Sequence, residues 1–189
     1  MARRPAGAAG TLDAATESRR KRHERMRTVD HMEICLTGVD RSELDRVLAA
    51  GHDHGGNPIE PFTDDAGGWP LRCCLADSRA GDRLAIIAWS PMPWRGAYAE
   101  TGPIVVHADG CPDPGPLRRL PAELDRRAMT LRPYGNDHRI AYHRVRQVAA
   151  DDSLTDRVRE LLEFDDVEFV HGRNVTGGCY AFTACRGSG

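Results

Sequence analysis

Two short apolar runs, Leu84 to Trp89 and Pro103 to His107, constrain this chain more than anything else in it. Each is too short for a buried helix and is built mainly from Leu, Ile, Val and Ala. They read as central strands, buried on both faces. No apolar run approaches the roughly 18–20 residues that a bilayer-crossing helix needs, so no membrane span is expected. Residues 90–102 lie between the two runs, with prolines, glycines, Trp94 and Tyr98. Connections of this length in small domains are often lids or binding loops.

The remaining elements follow from caps and periodicity. His31 to Thr37 reads as a first strand. Asp40 with Glu43 three residues on is a capping-box pattern; Leu44, Val47 and Leu48 then share one helix face, and Gly51 ends it. Residues 51–70 are rich in Gly, Pro, Asp and Asn, without periodicity, and predict an irregular segment. Met129 to Tyr134 and Arg139 to Val148 read as strands. Ser153 caps a second helix whose Leu154, Val158, Leu161 and Leu162 form a core stripe. Val167 to His171 and Gly178 to Arg186 close the chain as a strand pair. The expected fold is α+β: one mainly antiparallel sheet of about seven strands packed with two helices, a single domain over residues 29–187. The passage from 139 to 171 leaves room for one parallel pair, right-handed if present.

Charge narrows the partners. The chain has 26 Lys+Arg against 28 Asp+Glu, and a net charge of −2 points away from nucleic acid. The basic excess is confined to residues 1–28, with eight basic and three acidic groups and almost no large apolar side chains. That stretch cannot offset its own ordering entropy and is expected to be a disordered basic tail. A start mis-assigned upstream of Met26 or Met32, or an arm for an anionic partner, are the other readings. No apolar core follows Arg3-Arg4, so a secretory signal is not expected and a cytoplasmic location is. The six cysteines then read as reduced thiols, and the Asn174-Val175-Thr176 sequon as unused.

No phosphate loop, GxGxxG, CxxC pair, HExxH or GxSxG occurs. What remains is a set of polar residues around the two apolar runs, open to three readings. Cys74 as thiolate, His107 as base and Glu100 as its orienter would make a thiol site, with Arg72, Tyr98, Arg173 and Asn174 holding a small anionic molecule. Cys74, His107, Cys111 and Cys179 would instead suit zinc, since thiolate and imidazole match its tetrahedral preference. Buried structural cysteines and a hydrogen-bonded histidine are the third reading. His52-x-His54 offers a further, weaker imidazole pair. Exposed Trp69, Trp94 and Tyr98 would serve a protein-binding adaptor.

The residues also carry a resemblance. Arg72-x-Cys74-Leu75, Tyr98-Ala99-Glu100-x-Gly102-Pro103-Ile104-x-x-His107-Ala108-x-x-Cys111, Leu131-Arg132-x-Tyr134 and Arg173-Asn174-x-x-x-Gly178-Cys179-Tyr180 occur in this order. Together they resemble the bacterial domain of unknown function 1203 family, over roughly residues 30–187. The resemblance implies a small single-domain protein without an assigned activity. Cys73 stands outside the pattern, as does the basic tail. The sequence therefore supports an enzyme acting on a small anionic metabolite, or a zinc-stabilised or plain ligand-binding module without catalysis.

Overall fold

A computed structural model describes residues 32–187. The basic tail expected over residues 1–28 lies outside the described residues. The fold is a single α+β domain whose eight strands divide between two antiparallel sheets. Strands β1 (Ile34–Thr37), β8 (Tyr180–Arg186), β7 (Phe169–Asn174), β5 (Met129–Tyr134) and β6 (Arg146–Val148) form the larger sheet in that order. The smaller sheet is β2 (Phe62–Thr63), β3 (Arg83–Trp89) and β4 (Gly102–His107). Among the described residues there are three α-helices: α1 (Arg41–Ala50), the single turn α2 (Ala122–Asp125) and α3 (Leu154–Leu162).

The single sheet expected from sequence is thus two. β3 and β4 do not enter the larger sheet as doubly buried strands. One face, with Ala85, Ile87, Ile104 and Val106, is buried, while on the other Ile86 is 51% exposed and Pro103 is exposed, and only its end is covered, at Leu84. A three-stranded sheet covers the core with one face only, so its other face meets water even where the residue is apolar. The parallel pair also does not form. β6 and β7 flank β5 on opposite sides, each antiparallel to it. Residues 139–145 leave the expected strand for a 3-10 turn at Tyr142–Arg144.

Locally determined features follow the sequence closely. The Asp40 side chain accepts from the Glu43 N–H at 2.8 Å, and Gly51 closes α1 at φ 70°. Ser153 caps α3, and its four stripe residues are all buried where the helix packs on β5, β7 and β8. Each such side chain contributes about 1.5–3 kcal/mol by leaving water. A second apolar cluster joins α1 to the smaller sheet through Leu44, Val47, Leu71, Leu84, Ile87 and Val106. The segment that carries Cys73 and Cys74 is fixed against this cluster.

Candidate metal centre

Residues 69–78 double back on themselves. The Ser78 N–H donates to the Trp69 carbonyl, and the Leu71 N–H to the Ala76 carbonyl, both at 2.9 Å. Leu75 takes a left-handed φ of 59°, which turns the chain directly after the cysteine pair. One side of this loop docks on β4, where the Arg72 N–H donates to the Val105 carbonyl at 2.9 Å. The other side docks on the turn before α1. There the Val39 N–H donates to the Arg72 carbonyl at 2.9 Å, and Gly38 sits so close that an added Cβ would lie 2.1 Å from that oxygen.

This docking brings Cys73 and Cys74 to the end of β4, where His107 is the last residue, and to Cys111 four positions on. The ligand atoms of Cys73, Cys74, His107 and Cys111 all lie within 4.8 Å of one another. His107 Nδ1 is 3.5 Å from Cys73 Sγ and 3.1 Å from Cys111 Sγ. Its other nitrogen, Nε2, is 3.4 Å from the Asp82 carboxylate. The His107 N–H also donates to Cys73 Sγ at 3.4 Å. Arg41 donates to the Cys111 carbonyl from α1, which places a cation near Cys111 and Cys73.

The electrostatics of the bare cluster are frustrated. Hydrogen bonds from Cys111 and Cys73 pull the Cys74 thiol down to about 2. Cys111 is driven strongly upward by the Cys73 and Cys74 contacts and by burial. Cys73 is pushed up to about 11: the Cys111 hydrogen bond acts against this, but Cys74 and burial outweigh it. Three sulfurs at this spacing cannot all ionise unless a cation sits among them. Three thiolates, one imidazole and a carboxylate on the far imidazole nitrogen make a donor set that suits Zn²⁺.

The residues singled out from sequence divide among three places. Cys74, His107 and Cys111 converge, but their fourth partner is Cys73, which the sequence pattern set aside. Cys179 belongs to a different cavity, about 240 Å³ in volume, with Glu100, Arg173, Tyr180 and Trp89. Glu100 does not orient His107. Its carboxylate bridges Arg132 Nη1 at 2.5 Å and Arg173 Nη1 at 2.6 Å, because β4 carries residue 100 to the opposite end of the hairpin from residue 107. Asp82 holds the imidazole instead.

The expected anion-binding set also separates. Arg72 donates through Nε to the Tyr180 carbonyl at 2.6 Å and through Nη1 to the Pro70 carbonyl at 2.9 Å. It lines a cavity with Asp77 and Arg127 that does not include Arg173. Asn174 closes the β7–β8 turn, its side chain accepting from the Thr176 and Gly177 N–H groups. Tyr98 is half-buried and leans toward Tyr142. Trp94 stacks on His138, with ring centroids 3.9 Å apart, so it is packed and not a free anchor. His52 and His54 do not converge: His54 stacks on Trp89 and meets Glu43 at 3.2 Å, while His52 faces the Ala50 carbonyl.

The largest of these cavities, about 750 Å³, lies beside the cluster and is lined by Cys73, His54, Trp89, Tyr180 and Arg41 among others. No curated protein and no solved structure matches the chain. A family model described as protein of unknown function (DUF1203) matches residues 68–186, which is more than half of the chain. The match omits β1 and α1, which the sequence resemblance had included, yet takes in all four clustered residues and Arg173, so the chain belongs to this family of unknown function.

Proposed function

We propose that this chain is a zinc-stabilised ligand-binding domain, with the metal held by Cys73, Cys74, His107 and Cys111. The convergence of four ligand atoms within 4.8 Å carries this reading. Four protein ligands fill a tetrahedral shell and leave no position for water or substrate, which is the pattern of a structural site. Asp82 fixes the imidazole so that Nδ1 faces the metal, the carboxylate–histidine arrangement common behind zinc. Arg41 offsets the single negative charge that three thiolates leave on a divalent ion. Ligand binding then belongs to the cavities, and not to the cysteines.

Metal analysis of protein purified without chelators tests the reading. The expected content is about one zinc per chain, with chelation lowering the melting temperature by many degrees. Asp82→Asn should retain the fold and weaken the metal by about 10–100-fold. Metal-free, fully stable protein overturns the proposal.

One observation favours a thiol chemistry instead: Cys111, His107 and Asp82 stand in line, with contacts of 3.1 and 3.4 Å. That reading requires metal-free protein in which Cys111 is alkylated rapidly despite the burial and sulfur contacts that push its thiol upward, and in which His107→Asn slows the labelling. The same metal analysis separates the two.

A further inference from the structure

We infer that the cavity at Arg173 is a binding site for a small oxyanion, a carboxylate or a phosphate, and that Glu100 occupies part of it as an internal substitute. The inference names the ligand class for the ligand-binding half of the proposed function and does not depend on the metal.

Arg173 carries the argument. It is only 5% exposed, yet its guanidinium is incompletely satisfied. Nη1 meets Glu100 at 2.6 Å and the Gly178 carbonyl at 3.2 Å. Nε and Nη2 are buried and have no partner. These two nitrogens lie on one edge of the guanidinium and form the parallel fork that matches two oxygens of a carboxylate or phosphate. Burying a cation with an empty fork is costly, so a partner is missing. The larger cavity beside the metal centre shows no such deficit: none of its lining side chains is among the described residues with an unpartnered buried polar atom.

The surroundings add positive charge and little water. Strand pairing sets Arg132 opposite His171 and Thr130 opposite Arg173, so both arginines and the histidine stand on one face of β5 and β7. Burial, together with the two arginines, pushes His171 down to about 3, and it stays neutral at physiological pH. Among the described residues, Glu100 is the one carboxylate ion-paired with these two guanidinium groups. It is 43% exposed and lies on residues 90–101, which form neither strand nor helix. Nε and Nη2 expose almost no surface, so an oxyanion reaches the fork only by displacing groups that cover it, and it then competes with Glu100 for the same cation. At about 240 Å³ the cavity has room for about eight waters, which limits the ligand to a small molecule.

Inorganic phosphate and succinate are the two probes, with succinamide as the neutral control. Binding is read by calorimetry and by protection of Cys179, which lines the same cavity, from iodoacetamide. One of the two anions should bind saturably, and succinamide should not; the anion that binds identifies the source as phosphate or carboxylate. Glu100→Gln should tighten that anion by about tenfold, because the internal competitor is gone. Arg173→Lys should weaken it by at least as much, and Arg132→Lys serves as the second variant if Arg173→Lys does not fold. Zinc content is measured on every variant, so that failure here stands apart from failure of the metal reading. The inference is overturned if neither anion saturates wild type or Glu100→Gln below about 10 mM, a Kd at which binding is only a few kcal/mol. It is equally overturned if binding is indifferent to both substitutions.

Discussion

At the level of single residues, the protein separates groups that look alike in the sequence. Cys73 and Cys179 are both cysteines near polar motif positions, yet one faces three other candidate metal ligands and the other a cavity lined by Arg173 and Glu100. The two buried cations differ as well: Arg72 donates to two backbone carbonyls, whereas Arg173 keeps an empty fork. His171 shows what such a cationic, water-poor setting does to an ionisable group. Its folded value of about 3 lies below the ordinary 6.5, so between these limits the unfolded chain binds the proton that the folded chain refuses. Stability from this group is therefore full above pH ~6.5 and is lost as the pH falls toward ~3, at up to about 1.4 kcal/mol per pH unit. Urea titrations of wild type and His171→Gln across that range check this. The slope of stability against pH should be shallower in the variant, whatever its absolute stability. Equal slopes would show that His171 is not held neutral by the fold.

At the level of elements, two of the four candidate metal ligands depend on a loop that is pressed between two neighbours. Gly38 is the contact point on the α1 side, where the Arg72 carbonyl occupies the space a Cβ would need. Gly38→Ala must push the 69–78 loop away from α1, or break the Val39 to Arg72 hydrogen bond. The expected cost is about 1–3 kcal/mol from overpacking, accompanied by weaker metal retention, measured by thermal melts and competition with a chromogenic chelator. Loss of stability with metal affinity unchanged would show that the cysteine loop does not lean on Gly38. The same loop explains what could be read from the sequence. Caps and the α3 stripe were legible because they depend on residues three or four apart. The division into two sheets was not, since β3 and β4 carry apolar runs that suit either a central position or a small separate sheet. Three members of the cluster were legible as zinc-type ligands. Cys73 was missed because it stands outside the pattern of the resemblance, whereas two neighbouring sulfurs can face one ion when the chain turns sharply at Leu75. Glu100 was misplaced because its partners, Arg132 and Arg173, are brought to it only by tertiary folding.

Across the whole molecule, the proposed metal centre packs in the apolar core of the smaller sheet, and that core meets the larger sheet at Tyr180 of β8. The cluster ties the 69–78 loop to the end of β4, and through Arg41 to α1, all of which pack on the smaller sheet. α3 closes the other core against β5, β7 and β8. If the cluster holds an ion, removing it leaves three thiols that cannot share protons comfortably, and the strain falls first on the core that contains them. Regions of one domain can open with different free energies. Hydrogen exchange read by mass spectrometry should then show faster exchange, after chelation, in residues 71–75, 83–89 and 102–111. Residues 129–134, 154–162 and 180–186 should keep most of their protection. A uniform rise across both groups would mean that the ion supports the domain as one cooperative unit. No change in either would mean that the four ligand residues hold their places without it.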